Sequence, residues 1–232
     1  MEGQLNSKER AIITCWVNDL KPERVLEVGT WMGGGSTLHI LKALEANGKG
    51  HLWGIEASQN IYTQMIANIT SAGSDLVARF TPIFGFSQKV IPGFLSEQGK
   101  DAQIELAFLD GGDNPMEQVE EFQLLRDSIS EGGVILSHDA KLRKGKWLVP
   151  YLRAHDNWAC TLHDISDEGL FEARKISKQP SMDSAKKAAA QLRASRREPK
   201  EWVGRNLPSP VINLIAKLLP RRLLISLSQD RE

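Results

Sequence analysis

Cysteine is nearly missing: Cys15 and Cys160 are the only two in 232 residues. Far apart and without metal-ligand spacing, they exclude a disulfide framework or a zinc site and favour a reducing compartment. Long apolar runs are missing as well. No stretch reaches the ~18 to 20 residues that cross a bilayer, and the opening MEGQLNSKER lacks the apolar core of a signal peptide, so the expected location is cytoplasmic. Net charge is absent, with 29 basic against 29 acidic residues, which removes any whole-molecule attraction to nucleic acid or an anionic surface. No internal repeat is visible. What remains, 41% hydrophobic and 25% charged residues, is ordinary globular composition at a length that supports one substantial core.

Charge is nevertheless unevenly placed. Residues 176–232 hold 12 Lys/Arg against 5 Asp/Glu, which leaves the preceding body acidic. That body reads as alternating elements. Asn6 and Glu9 have the spacing of a capping box ahead of the helical AIITCWVNDL. RVLEVG, HLWGIEAS, VARFTPIFG, IELAFLD and EGGVILSHD are five strand-like runs, with helical patterns between them in Ser36 to Leu44, IYTQMIANITSAG and PMEQVEEFQLLRDSI, and a helix or loop at VIPGFL. Strands separated by helices imply a parallel sheet covered on both faces. NWACTLHDI and GLFEARKI are too close for a crossover helix and should pair antiparallel. The expected fold is therefore α/β, a doubly wound, mostly parallel Rossmann-like sheet with an antiparallel last strand, spanning 1–176. Residues 177–232 form a basic, partly amphipathic helical C-terminal extension.

The stretch RVLEVGTWMGGGST places Gly29 and then Gly33, Gly34 and Gly35 between a buried strand and a helix opening at Ser36. Glycines there let backbone approach a ligand while the helix N-terminal amides stay free to donate. The spacing is not G-x-G-x-x-G, which argues against a dinucleotide, and the acid Glu27 suits a cationic ligand better than a phosphate. Glu56 ends the next strand, where a carboxylate can accept from both hydroxyls of a ribose. A positively charged nucleoside without phosphates satisfies both signals, and S-adenosylmethionine is one.

With these residues in place, the chain resembles the class I S-adenosylmethionine-dependent methyltransferases, and within them the small O-methyltransferases of the catechol and sugar-modifying type. The likeness covers about residues 8–176 and rests on VLEVGTWMGGGST, IEAS, GFSQKVIPGF, FLDGG and GGVILSHD in that order, closed by the terminal hairpin. It implies a methionine-binding loop at Glu27, Gly29, Thr30, Gly33, Gly35 and Ser36, ribose contacts from Glu56 and Ala57, and an adenine contact from Ser87, since Phe86 stands where relatives carry an acid. Asp110 borders the same site.

Asp110 ends the fourth strand and Asp139 the fifth; on neighbouring strands their carboxylates can converge on one cation. Oxygen ligands suit Mg²⁺ or Ca²⁺, and such an ion would lower the pKa of an acceptor hydroxyl. Relatives with metal commonly have Asn after the second acid, and Ala140 stands here. Asp113, where relatives carry His or Lys, is a replacement ligand or a general base, and His138 is a competing base. Alternatively Asp110 and Asp113 only cap the helix that follows. Since strand neighbours point to opposite faces, His138 can instead face helix packing. His39 and His51 read as structural, while His155 and His163 could line a substrate pocket. Arg143, Lys144 and Lys146 could receive an acidic acceptor, and Trp147 could stack on a ring.

Function is thus expected to be O-methylation of a small hydroxylated acceptor, a sugar or a phenolic, with N- or C-methylation and a non-catalytic cofactor-binding protein left open. Nucleic acid is not an expected partner: the body is acidic and lacks the Asn/Asp-Pro-Pro-aromatic tetrapeptide of exocyclic-amine methylators. In the tail, Val211, Leu214, Ile215, Leu218 and Leu219 share one helix face, followed by Arg221 and Arg222. That stripe either docks on the body or a second copy of the chain, making a homo-oligomer, or lies peripherally on an anionic membrane.

Overall fold

The computed structural model describes residues 4–99 and 102–196. The apolar stripe of residues 211–219 and its arginines lie outside these. Asn6 and Glu9 close the anticipated capping box on α1 (Ser7–Leu20), whose Ile13 and Val17 face the core. Alternation then runs through β1 (Arg24–Val28), α2 (Ser36–Ala46), β2 (His51–Glu56), α3 (Gln59–Ala72), the single turn α4 (Ser74–Val77), β3 (Phe80–Phe84) and α5 (Ser87–Gln98). It continues with β4 (Ile104–Leu109), α6 (Pro115–Leu125), β5 (Ile129–Ser137), a 3₁₀ turn at Lys144–Lys146, α7 (Leu148–Arg153), β6 (Trp158–His163), β7 (Leu170–Lys175) and α8 (Met182–Arg196). VIPGFL is therefore helical. It lies within α5 despite Pro92, and VARFTPIFG yields strand only from Phe80.

The sheet order is β3-β2-β1-β4-β5-β7-β6. β1 to β5 pair in parallel, and β7, last in sequence, inserts antiparallel between β5 and β6. This is the doubly wound sheet anticipated from the alternation. Its faces bury different residues: Leu26, Val28, Ala107 and Leu109 enter the core under α5 to α8, whereas Val25, Leu106 and Phe108 enter the one under α1 to α4. Burial on both faces is why these strands read as continuous apolar runs. Glu27, two residues from Val25, falls on the α2 face.

β5 begins two residues before EGGVILSHD, and its register against β4 shifts between Ile104 and Leu106, where Gly132 takes a φ of 82°. α8 lies within the C-terminal extension yet packs Ala188 and Leu192 into the core beside α7. No helix among the described residues is long and apolar enough to cross a membrane.

From β1 the chain steps outward through β2 to β3, then crosses back through α5 to lay β4 on the other side of β1. The carboxyl ends of β1 and β4 therefore border the crevice where such sheets bind ligands.

Candidate active site

A cleft of about 350 Å³ opens at that crevice. Gly29 forms its floor with a φ of 84°, and its amide donates to Ile55 O at 2.9 Å. A Cβ there would sit 2.6 Å from the carbonyl oxygen of Asp110, so only glycine lets the loop pass so close to β4. Gly33, with a φ of 78°, turns the chain into α2 against Ile69 and Met65. Beneath the loop, Glu27 is fully buried and accepts from the Ser36 hydroxyl, and burial pushes its carboxyl up to about 7. Gly29 lines the cleft directly. Glu27, Thr30, Gly33, Gly35 and Ser36 shape it from behind.

Glu56 and Ala57 line the next wall. The Glu56 carboxylate accepts from the Trp31 amide at 3.1 Å and the Ser58 amide at 2.9 Å, so it ties the glycine loop to the end of β2 while facing the cleft. Farther along stand Gly85, Phe86 and Ser87. The Ser87 hydroxyl donates to Glu121 at 2.6 Å, and burial raises the Glu121 carboxyl to about 8. Phe86 is 59% exposed. Backbone, a carboxylate and an exposed ring are thus spaced along one groove.

Opposite them, ionised groups converge. Lys144 Nζ lies 2.7 Å from Asp110 Oδ1, 2.7 Å from Asp139 Oδ2 and 3.2 Å from the Asp110 carbonyl oxygen. His138 Nδ1 stands 3.3 Å from Asp110 Oδ1 and 3.2 Å from Asp139 Oδ1. His138 Nε2 is 3.4 Å from Glu9 Oε1, close enough for ion pairing but short of hydrogen-bond geometry. Burial works against the charges of Asp110, His138 and Lys144, yet their partners win. The His138 hydrogen bond and the Lys144 charge hold Asp110 below the usual carboxylate range, while Asp110 and Asp139 raise both Lys144 and His138.

Strand alternation does not separate His138 from Asp139. β5 ends at Ser137 and Asp139 adopts a φ of 57°, so the chain turns and the two side chains meet. Gln118 fixes the adjoining strand ends: its amide donates to Leu109 O and His138 O, and its carbonyl accepts from Ser137. Neither Asp110 nor Asp113 caps α6, because Asn114 does. Asp113 is exposed on the cleft rim.

Other expectations are corrected by burial. Trp147 is 1% exposed and packs in the core, out of reach of any ring in the cleft. His155 bonds Tyr151 O and His163 bonds Glu172, both away from the cleft. Arg143 is exposed on the turn, whereas Lys144 points inward. Gln118 and Glu121 escape a reading by motif, and Glu9 shows only its capping role. Each sits on a helix where its charge or amide looks like a solvated face, and only the helix packing turns it inward.

Residues 26–140 match a family model described as a methyltransferase domain. Over those residues the chain carries a methyltransferase domain. No curated protein matches it in sequence. Among solved structures, the methyltransferase is similar to the O-methyltransferase TomG from Streptomyces achromogenes, involved in tomaymycin synthesis and in complex with SAM, at 16% identity and a TM-score of 0.64 over 75% of this chain and 82% of that one. It is also similar to the Podospora anserina methyltransferase PaMTH1, bound to SAH, at 16% identity and a TM-score of 0.61 over 75% and 80% of the two chains. A third is the Bacillus cereus O-methyltransferase in complex with SAH, at 18% identity and a TM-score of 0.57 over 74% and 83%. Such identities speak for the fold of the methyltransferase, which these proteins share.

Proposed function

We propose that this methyltransferase methylates a hydroxyl oxygen of a small acceptor, a sugar or a phenolic. One observation carries the reading: the Asp110 backbone presses on Gly29 while its carboxylate joins that of Asp139 at the same edge of the cleft. A hydroxyl laid against those carboxylates would lie next to the methionine-binding loop. S-adenosylmethionine supplies a methyl on a sulfonium; its S–CH₃ bond breaks as the O–CH₃ bond forms, and the bonding pair returns to sulfur. The carboxylates orient the acceptor oxygen and take its proton. Glu56 and the glycine loop hold the nucleoside end, and His138 and Lys144 keep Asp110 ionised.

Titration calorimetry with S-adenosylhomocysteine, followed by a screen of hydroxylated, amine and carbon acceptors with methyl-labelled cofactor, tests the proposal. Label incorporated into an ether is the expected product. Incorporation only on nitrogen or carbon moves the assignment to those acceptors, and absence of homocysteine-cofactor binding leaves a protein with the fold alone.

A further inference from the structure

Asp110, His138 and Asp139 offer ligand atoms that all lie within 4.8 Å of one another, as a metal-binding trio would. The gap between the two carboxylates is nevertheless filled. Lys144 Nζ bridges Asp110 Oδ1 and Asp139 Oδ2, at 2.7 Å from each, and its side chain is 8% exposed. A magnesium ion needs oxygens at about 2.0 to 2.1 Å in an octahedron. In that gap it would have to share both carboxylates with an ammonium and would be repelled by it.

Chain geometry shows that the lysine is built in. Asp139 takes the left-handed conformation with a φ of 57°, and its carbonyl accepts from the amides of Leu142, at 3.0 Å, and Gly145, at 3.2 Å. Gly145 closes that turn on Ala140 so tightly that a Cβ would lie 2.4 Å from the Ala140 Cα. The 3₁₀ turn that follows aims Lys144 back across the strand ends, while its neighbour Arg143 stays exposed.

We propose that Lys144 is the resident cation of this site and that the protein binds no divalent ion between Asp110 and Asp139. The inference uses the proposed O-methylation only for its consequence on the acceptor. An ammonium has three donors, and here all three have oxygens: Asp110 Oδ1, Asp139 Oδ2 and the Asp110 carbonyl. Unlike an octahedral ion with open positions, Lys144 has nothing left with which to chelate two substrate oxygens. It holds the carboxylates, and the acceptor meets them through a single hydroxyl. Molecules with one hydroxyl therefore qualify as acceptors as well as vicinal diols do.

Manganese titration of the full chain with S-adenosylhomocysteine present, read as the loss of the free Mn²⁺ paramagnetic resonance signal, tests this. Wild type and Lys144→Arg take up no stoichiometric Mn²⁺. Lys144→Ala removes the ammonium, frees the two carboxylates and binds one ion per chain, at least roughly tenfold more tightly than wild type. One ion per wild-type chain, lost in Asp139→Asn, overturns the proposal, as does a folded Lys144→Ala that still takes up none. Should Lys144→Ala not fold by circular dichroism, the wild-type titration alone decides. Cofactor binding measured on the same samples separates the two readings: its absence removes the methyltransferase proposal and leaves the manganese result to stand by itself.

Discussion

The two walls of the cleft are made differently. On the β1–β2 side, one continuous segment, residues 27–37, supplies nearly everything through backbone shape, and Glu56 fastens it by accepting two amides. On the β4–β5 side, charges arrive from four separate places: Glu9 on α1, Asp110 after β4, His138 and Asp139 after β5, and Lys144 on the following turn. The first wall depends on local conformation and the second on mutual neutralisation. Substitutions should therefore fail differently on the two sides, with cofactor affinity lost on one and turnover on the other.

Asp139→Asn gives the largest expected effect. Asn tolerates the left-handed conformation that Asp139 occupies, so the fold should hold. The change removes one of the two carboxylates that neutralise Lys144 and face the acceptor. Single-turnover methyl transfer should slow by roughly 10² to 10⁴, with S-adenosylhomocysteine affinity within about threefold of wild type. Equal losses in both measurements would erase the contrast between the walls.

Gly29→Ala breaks the other side. Alanine must enter a positive-φ conformation with its Cβ 2.6 Å from a backbone carbonyl, and neither loop nor strand can yield without moving the other. Cofactor binding should be lost, with a fall of roughly 2 to 4 kcal/mol in unfolding free energy by urea titration. Gly33→Ala is the milder control, because its Cβ would meet the flexible end of Ile69 at 3.1 Å. Equal effects from the two would refute the backbone-approach argument.

The same contrast decides what can be read from the sequence. Residues 24–37 and Glu56 announce themselves because strand, glycine turn and helix start are adjacent in the chain, although what Gly29 must pass so closely, the Asp110 backbone, is distant in sequence. The parallel pairing of β1 to β5 is legible for a related reason: the central strands β1 and β4 are apolar on both faces, and strands alternate with helical segments along the chain. Lys144 was visible only as part of a basic stretch, and its inward turn depends on Gly145 closing against Ala140 and on the φ of Asp139. His138 was set apart from Asp139 by a period-two rule that ceased to apply once β5 ended at Ser137. Glu9 showed its capping role, but its second contact, to Ser166 at 2.6 Å, spans the chain and has no local signature.

Between the walls, Glu121 links the contrast to pH. Burial raises its carboxyl to about 8, from an unfolded value of roughly 4.3. The folded chain thus holds this proton more tightly. Its contribution to stability is fully present below the unfolded value and is lost as pH rises towards 8. Glu121→Gln keeps an acceptor for Ser87 but cannot ionise. Urea unfolding at pH 5 and pH 8.5 should show that the loss of stability between the two shrinks by roughly 2 to 3 kcal/mol in the variant. An unchanged difference would mean that Glu121 is already ionised in the folded protein.

Glu56→Ala has the smallest expected effect and separates two roles of one carboxylate. As the ribose acceptor, Glu56 would lose charge-assisted hydrogen bonds to the ligand. As a brace, it would lose only its hold on the Trp31 and Ser58 amides. Either way S-adenosylhomocysteine binding should weaken by roughly 1 to 2 kcal/mol with the fold intact. Adenosine distinguishes the roles, because it carries the ribose but lacks the amino-acid end that the glycine loop would hold. A direct ribose contact predicts the same loss for both ligands. If Glu56 acts through Trp31, adenosine binds the variant as well as wild type and the whole loss falls on the homocysteine end, which would place Glu56 with the loop and leave the ribose to other groups of the cleft.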